Sequence, residues 1–253
     1  MLAKDLKKAY CMPATAPAYP PPPFLYEGCR QTMIIFRTDP EVIRSLVPEP
    51  LVPDAIPILG LYIAKLSITS PNPGTYMEAG LVARVAYEGN PGMYFSHLYL
   101  DSALGVIVGR EIWGFPKKPA QIIYKEEDGK ISTVVTLMGG TLIKTGMQKA
   151  RKLDQFPEDP IQAGYTLKII PSAEPDAPPD VLQLVSIPHI MQVREMYEGS
   201  GTLELLPSPF DSLGNIPVLE VVGATFQVLD MTLDWGKVVV DYLTERVELE
   251  SVA

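Results

Sequence analysis

Cysteine is scarce. The 253 residues contain only Cys11 and Cys29 and no C-x-x-C, which excludes a disulfide framework and a cysteine-based zinc cluster. The two histidines, His97 and His189, are far apart and lack ligand-like neighbours, so no metal is expected. Long apolar runs are missing too. None approaches the ~20 residues needed to cross a bilayer, and no membrane partner is expected. Met1 to Tyr10 intersperses lysines with small apolar residues and has no secretory core, which points to a cytoplasmic protein. Positive charge is in deficit: 21 Lys and Arg against 30 Asp and Glu give a formal charge of −9. That balance opposes a nucleic-acid partner, although a basic pocket can sit inside an acidic protein. No dinucleotide or phosphate-loop motif occurs.

Proline is plentiful, at 26 residues, with one cluster at Pro20 to Pro23. It predicts an extended arm over residues 1–30, leading into a single domain spanning 1–253. Such an arm either runs into its own domain or wraps a neighbouring subunit. Strand-like runs follow: Thr32 to Phe36, Ile56 to Ile68, Leu81 to Tyr87, Tyr94 to Leu100, Ile131 to Leu137, Tyr165 to Ile170, Val181 to Ile187, Gly201 to Leu206 and Val218 to Leu233. Helical signals are few. Asp39 is placed to cap Pro40 to Val47, and Val238 to Leu243 is expected to open a short helix. Many strands with few helices predict a mainly β (α+β) domain.

The chemically informative stretch is Gly109-Arg110-Glu111-Ile112-Trp113-Gly114-Phe115-Pro116-Lys117-Lys118-Pro119. An amine attacks a carbonyl only when neutral, and apolar walls or a nearby cation favour the neutral form. Ile112, Trp113 and Phe115 can supply walls, and Arg110 or Lys118 a charge. Neighbouring residues of an extended chain point to opposite faces, and Pro119 biases Lys118 toward that backbone. The two lysines therefore diverge, one into a pocket and one away. A Lys-Lys pair alone is as often a solvated turn.

The stretch resembles the signature of the acetoacetate decarboxylase family, G-R-E-x-x-x-[FY]-P-K-K. Further matches follow in the family's order: Arg37-Thr38-Asp39 with Val47-Pro48-Glu49-Pro50-Leu51, Tyr76-Met77-Glu78-Ala79-Gly80, Tyr99-Leu100-Asp101, Leu167-Lys168-Ile169-Ile170-Pro171 and Asp241-Tyr242-Leu243. The resemblance implies an antiparallel, cone-like closed β-barrel with short flanking helices, assembled as a homo-oligomer. It implies that Lys117 forms an imine with a small keto acid, without a cofactor, and that Glu78 shares its pocket. Activation of that family's lysine is a standard example of an amine made nucleophilic. Lys118 is then a supporting residue. Arg110 and Glu111 are expected as an ion pair beneath the site, and Phe115 and Trp113 as pocket walls.

The chain departs from the family at two places. Where the family has an arginine ahead of the first strand, ungapped alignment puts Cys29, with Arg30 one residue on, and a one-residue slip changes the face. Where the family has a second glutamate, the chain reads Leu61-Tyr62-Ile63, so Tyr62 is the nearest polar group. Arg30 and Tyr62 are thus the substrate-binding candidates. The leading expectation is a Schiff-base decarboxylase of a β-keto acid. A Schiff-base aldolase or dehydratase of a larger oxo-acid is the alternative, and a non-catalytic binder of a small keto compound lies in a different class.

Overall fold

A computed structural model describes residues 2–244. The chain enters through a short helix, α1 (Ala3–Leu6), and an irregular arm before β1 (Phe24–Arg37) and α2 (Pro40–Leu46). Next come β2 (Val52–Pro53), β3 (Ile58–Ser70), β4 (Gly74–Tyr87), β5 (Asn90–Leu100) and α3 (Ala103–Val108). A turn of π-helix, Gly109–Trp113, leads to β6 (Lys117–Pro119). A meander of β7 (Gln121–Glu127), β8 (Lys130–Leu137) and β9 (Gly140–Lys152) follows. The chain continues through β10 (Ala163–Ile170), β11 (Val181–Pro188), β12 (Ile190–Leu205), β13 (Glu220–Leu233) and β14 (Lys237–Asp241).

The protein is mainly β, as the strand-rich pattern predicts. One sheet runs in the order β14-β11-β10-β5-β4-β3-β1-β13-β12-β9-β8-β7, with β2 on β4 and β6 on β5. Among the described residues no ladder joins β7 to β14, so the pairing is an open path and not the closed barrel that the resemblance implies. The end strands suit edges: β14 is five residues long, and β7 carries Lys125, Glu126 and Glu127. Nor is the sheet wholly antiparallel, because β5 pairs in parallel with both β10 and β6.

Strict alternation gives the long strands two apolar faces. In β3, Leu59, Leu61 and Ile63 join one core, while Tyr62, Ala64 and Leu66 join the other. The second core, completed by Trp113, Phe115, Leu98 and Leu100, surrounds the cavity described below.

Local chemistry explains most ends. Asp39 Oδ1 accepts from the Glu41 N–H at 2.9 Å, Pro40 takes the first turn of α2, and Pro48 follows its end. Three expectations need correction. Val238 to Leu243 is not helical. Its Val238-Val239-Val240 run is β-branched, and it pairs with β11. The arm is shorter than residues 1–30, because β1 starts at Phe24. It also folds onto its own chain: Tyr19 is buried and its hydroxyl donates to Glu111 Oε2 at 2.6 Å. Finally, β7 and β9 were not expected as strands, because their charged residues mask a half-exposed alternation.

Candidate active site

The central motif folds around two glycines. Ser102 Oγ accepts from the Gly105 N–H at 3.1 Å and starts α3. The helix loosens into the π-turn at Gly109, whose missing Cβ would lie 2.6 Å from Lys117 Cδ and 3.1 Å from its Nζ. The lysine stem therefore packs directly on helix backbone. Gly114 ends the turn with φ +76°, a left-handed conformation, and a Cβ there would meet Lys168 Cα at 2.4 Å. Thr166 Oγ1 and Lys168 Nζ tie down the last carbonyls of the turn, at Trp113 and Ile112, at 2.5 and 3.0 Å. The chain reverses into β6, which sets Lys117 beside Leu98 of β5.

Lys117 ends in a cavity of about 230 Å³, and only 6% of its side-chain surface is exposed. Its Nζ lies 3.1 Å from Glu78 Oε2, an ion-pair distance without hydrogen-bond alignment. The other carboxylate oxygen, Glu78 Oε1, accepts from the Tyr62 hydroxyl at 2.6 Å. Burial first, then the charge of Glu78, pushes the Tyr62 phenol well up from its ordinary value, so it stays a proton donor. Tyr62 itself fits because Gly80, opposite it on β4, has no side chain. The Phe115 ring lies 5.1 Å from Lys117 Nζ and packs edge-on to Phe95. Lys117 of β6, Glu78 of β4, Tyr62 of β3 and Phe115 of the link between the π-turn and β6 are thus brought together around the cavity.

Lys118 diverges as expected. Its Nζ reaches Asp211 Oδ2 at 2.7 Å, outside the cavity. Burial works to raise the Asp211 carboxyl, but bonds from Lys118 and the Leu213 N–H hold it below its ordinary range.

The remaining candidates are placed otherwise. Arg30 lies on the opposite face of β1, where it pairs with Glu126 at 2.7 Å and stacks over Phe226. Cys29 takes the inward side and accepts from the Ser67 N–H. The one-residue slip therefore removes Arg30 from the pocket. Trp113 does not wall the main cavity. It is buried, donates from Nε1 to the Asp234 carbonyl, and lines a smaller space of about 100 Å³ on another side of Lys117. Arg110 and Glu111 form no ion pair with each other. Arg110 donates to the Lys117 carbonyl at 3.2 Å, whereas Glu111 serves Tyr19.

The sequence reading missed Tyr76, two residues before Glu78 and so on the same face, whose hydroxyl meets that of Tyr26 at 3.4 Å in the cavity wall. It missed Gln31 and Met33, which alternate with Thr32 and Ile34, buried on the other face of β1. His189, paired with Asp159 at 3.0 Å, also lines the cavity, and nothing local marks it. Among the described residues no group of three His, Cys, Asp or Glu is arranged to hold a metal.

Residues 11–243 match the family described as Acetoacetate decarboxylase (ADC). An acetoacetate decarboxylase of Burkholderia cenocepacia (strain HI2424) is 37% identical over 246 residues, covering 94% of this chain and 97% of its own. A solved acetoacetate decarboxylase superposes with TM-score 0.86 at 28% identity, covering 96% of this chain and all of the other. The enzyme from Legionella pneumophila superposes with TM-score 0.81 at 27% identity, over 93% and 95%.

Proposed function

The chain belongs to the acetoacetate decarboxylase family, enzymes of the carboxy-lyase class, and from that premise we propose that it decarboxylates a β-keto acid such as acetoacetate through an imine on Lys117. The observation that carries this reading is the buried Lys117–Glu78 contact, held from behind by Tyr62. Glu78 Oε2 is near enough to take the ammonium proton, which frees the amine. The neutral amine attacks the ketone carbon, and loss of water leaves a protonated imine. That cation is two bonds from the carbon bearing the carboxylate. The C–C bond breaks, carbon dioxide leaves, and the electron pair moves to the imine nitrogen as an enamine. A proton delivered through Glu78 and water converts the enamine back to an imine. Hydrolysis then releases the ketone and restores the amine. The imine is the electron sink, so the route calls for no cofactor.

A second reading has its own support. Tyr62 stands where the family has a second carboxylate, and Arg30 is turned away. The same iminium can direct aldol addition or loss of water in a larger oxo-acid. Release of carbon dioxide from acetoacetate separates the two. Borohydride reduction in the presence of a keto acid, followed by peptide mass mapping, tests both. A secondary amine at Lys117 is expected, its added mass being that of the keto acid, or of the ketone left after loss of carbon dioxide, less one oxygen atom; its absence with any keto acid would leave a non-catalytic binder. The proposal includes a homo-oligomer, supported by large exposed apolar side chains such as Ile123, Phe210 and Leu219. Light scattering is expected to exceed the monomer mass, and a stable monomer at micromolar concentration would refute it.

A further inference from the structure

The cavity is larger than acetoacetate requires. A space of about 150 Å³ accommodates a benzene-sized molecule, and this one measures about 230 Å³. The extra room has a direction. Gln227 of β13 is registered against Gln31 of β1, Gln31 against Ala64 of β3, and Ala64 against Glu78 of β4. All four line the cavity, so they form one row across the sheet on a single face. With strands about 4.8 Å apart, the Gln31 backbone lies about 10 Å from that of Glu78, and the Gln227 backbone about 14 Å. Between them stands Ala64, whose methyl group leaves the row open.

Neither Gln31 nor Gln227 has a side-chain hydrogen-bond partner among the described residues, and both are half-buried. Each amide offers two donors and an acceptor. Much of the cavity wall is apolar, and it includes Met33 and Met93, whose unbranched side chains adapt to varied shapes. Among the described residues Lys117 is the only lysine or arginine lining the cavity, because Arg30 lies on the other face. A second anionic group at the glutamine end would be desolvated without a counter-charge, which is unfavourable.

We propose that the substrate is a β-keto acid with an extended, apolar acyl arm that ends in a neutral hydrogen-bonding group, a hydroxyl or an amide, received by the Gln31–Gln227 pair. The inference rests on the imine reading of Lys117, since that sets where the carbonyl sits. The arm lies over Ala64, and the two amides select its far end. Acetoacetate would fill only the lysine end.

Two ketones with the same carbon chain test this: octan-2-one and 8-hydroxyoctan-2-one, whose extended chains are comparable to two strand spacings. Equilibrium binding is measured for the native protein and for Gln31→Met, Gln227→Met and the double variant, substitutions that keep side-chain length. Circular dichroism checks that each is folded. The native protein is expected to bind the hydroxyl-ended ketone about tenfold more tightly, within reach of one or two neutral hydrogen bonds. The double variant is expected to lose that preference. Equal affinities in the native protein overturn the inference, as does a preference that survives in the folded double variant. Borohydride trapping of the same ketones is read separately. If no mass appears on Lys117, the imine reading fails, while the affinity ratio still decides whether the glutamines select the distal group.

Discussion

Lys117, Glu78 and Tyr62 form a chain in which each side chain fixes the next. Lys117→Ala is expected to abolish both turnover and borohydride trapping, which activity assay and mass mapping would check. Glu78→Gln keeps the shape and removes the charge and the exchangeable acid. It is expected to retain trapping while turnover falls by roughly 10²–10⁴-fold, the range for general acid–base catalysis. Full turnover would make the carboxylate structural, and loss of trapping would place it in imine formation or substrate binding. Tyr62→Phe removes the 2.6 Å bond to Glu78 without opening space. A hydrogen bond to a charged group is worth about 1.5–3 kcal/mol, so turnover is expected to drop roughly tenfold or more. An unchanged rate would show that Glu78 holds its place unaided. At this scale the meeting of Lys117 with Glu78, the proposed nucleophile and its carboxylate, was legible, because both lie inside motifs. Arg30 was misplaced because a bulge between Tyr26 and Cys29 sets which residues of β1 face inward, and only the register reveals it.

The element that matters most is the π-turn between α3 and β6. Its backbone is the surface on which Lys117 lies, and a Cβ at Gly109 would crowd the lysine stem. Gly109→Ala is expected to leave the protein folded but slow imine trapping, because the Cβ would displace the lysine stem. An unaltered trapping rate would mean that the stem has another route to the carbonyl. Lys118→Ala tests the opposite face of β6. The lysine is bound to Asp211 and points away from the cavity, so measurable activity is expected to remain. If the folded variant is as inactive as Lys117→Ala, the division of faces is wrong. Neither α3 nor this turn was read as helix from the sequence. Val106, Ile107 and Val108 are β-branched residues that favour strands, and the Ser102 cap was the one local signal against them.

At the scale of the whole molecule, the face opposite the cavity carries its own charge cluster. Glu126 accepts from Arg30, Lys149 and Tyr124. Burial works to raise its carboxyl, but these bonds outweigh it and hold it at about 2, against an ordinary 4.5. A carboxyl lowered on folding contributes stability that is fully present above the unfolded value and is lost as pH falls through the folded one. Glu126→Gln is therefore expected to lower Tm at neutral pH, with a gap to the native protein that narrows between about pH 4.5 and 2. Thermal melts across that window check it, and a gap independent of pH would show that the charge of Glu126 contributes nothing. The same cluster holds Arg30 outside the cavity, where Lys117 is the only lysine or arginine among the described residues.

Alternation and turn residues are local properties, so the sequence alone determined that most of the chain is strand, that Asp39 starts a helix, and that Lys117 and Lys118 face apart. The motifs were enough to assign the family and the pair Lys117 and Glu78. Tertiary structure alone decided which residues oppose one another across strands. It placed Cys29 inward and Arg30 outward, left the sheet path open between β7 and β14, and drew Gln31 and Gln227 into one row with Glu78. The physical reason is that strand register depends on bulges and on partners distant in sequence. A shift of one residue exchanges the two faces without changing the composition of either strand.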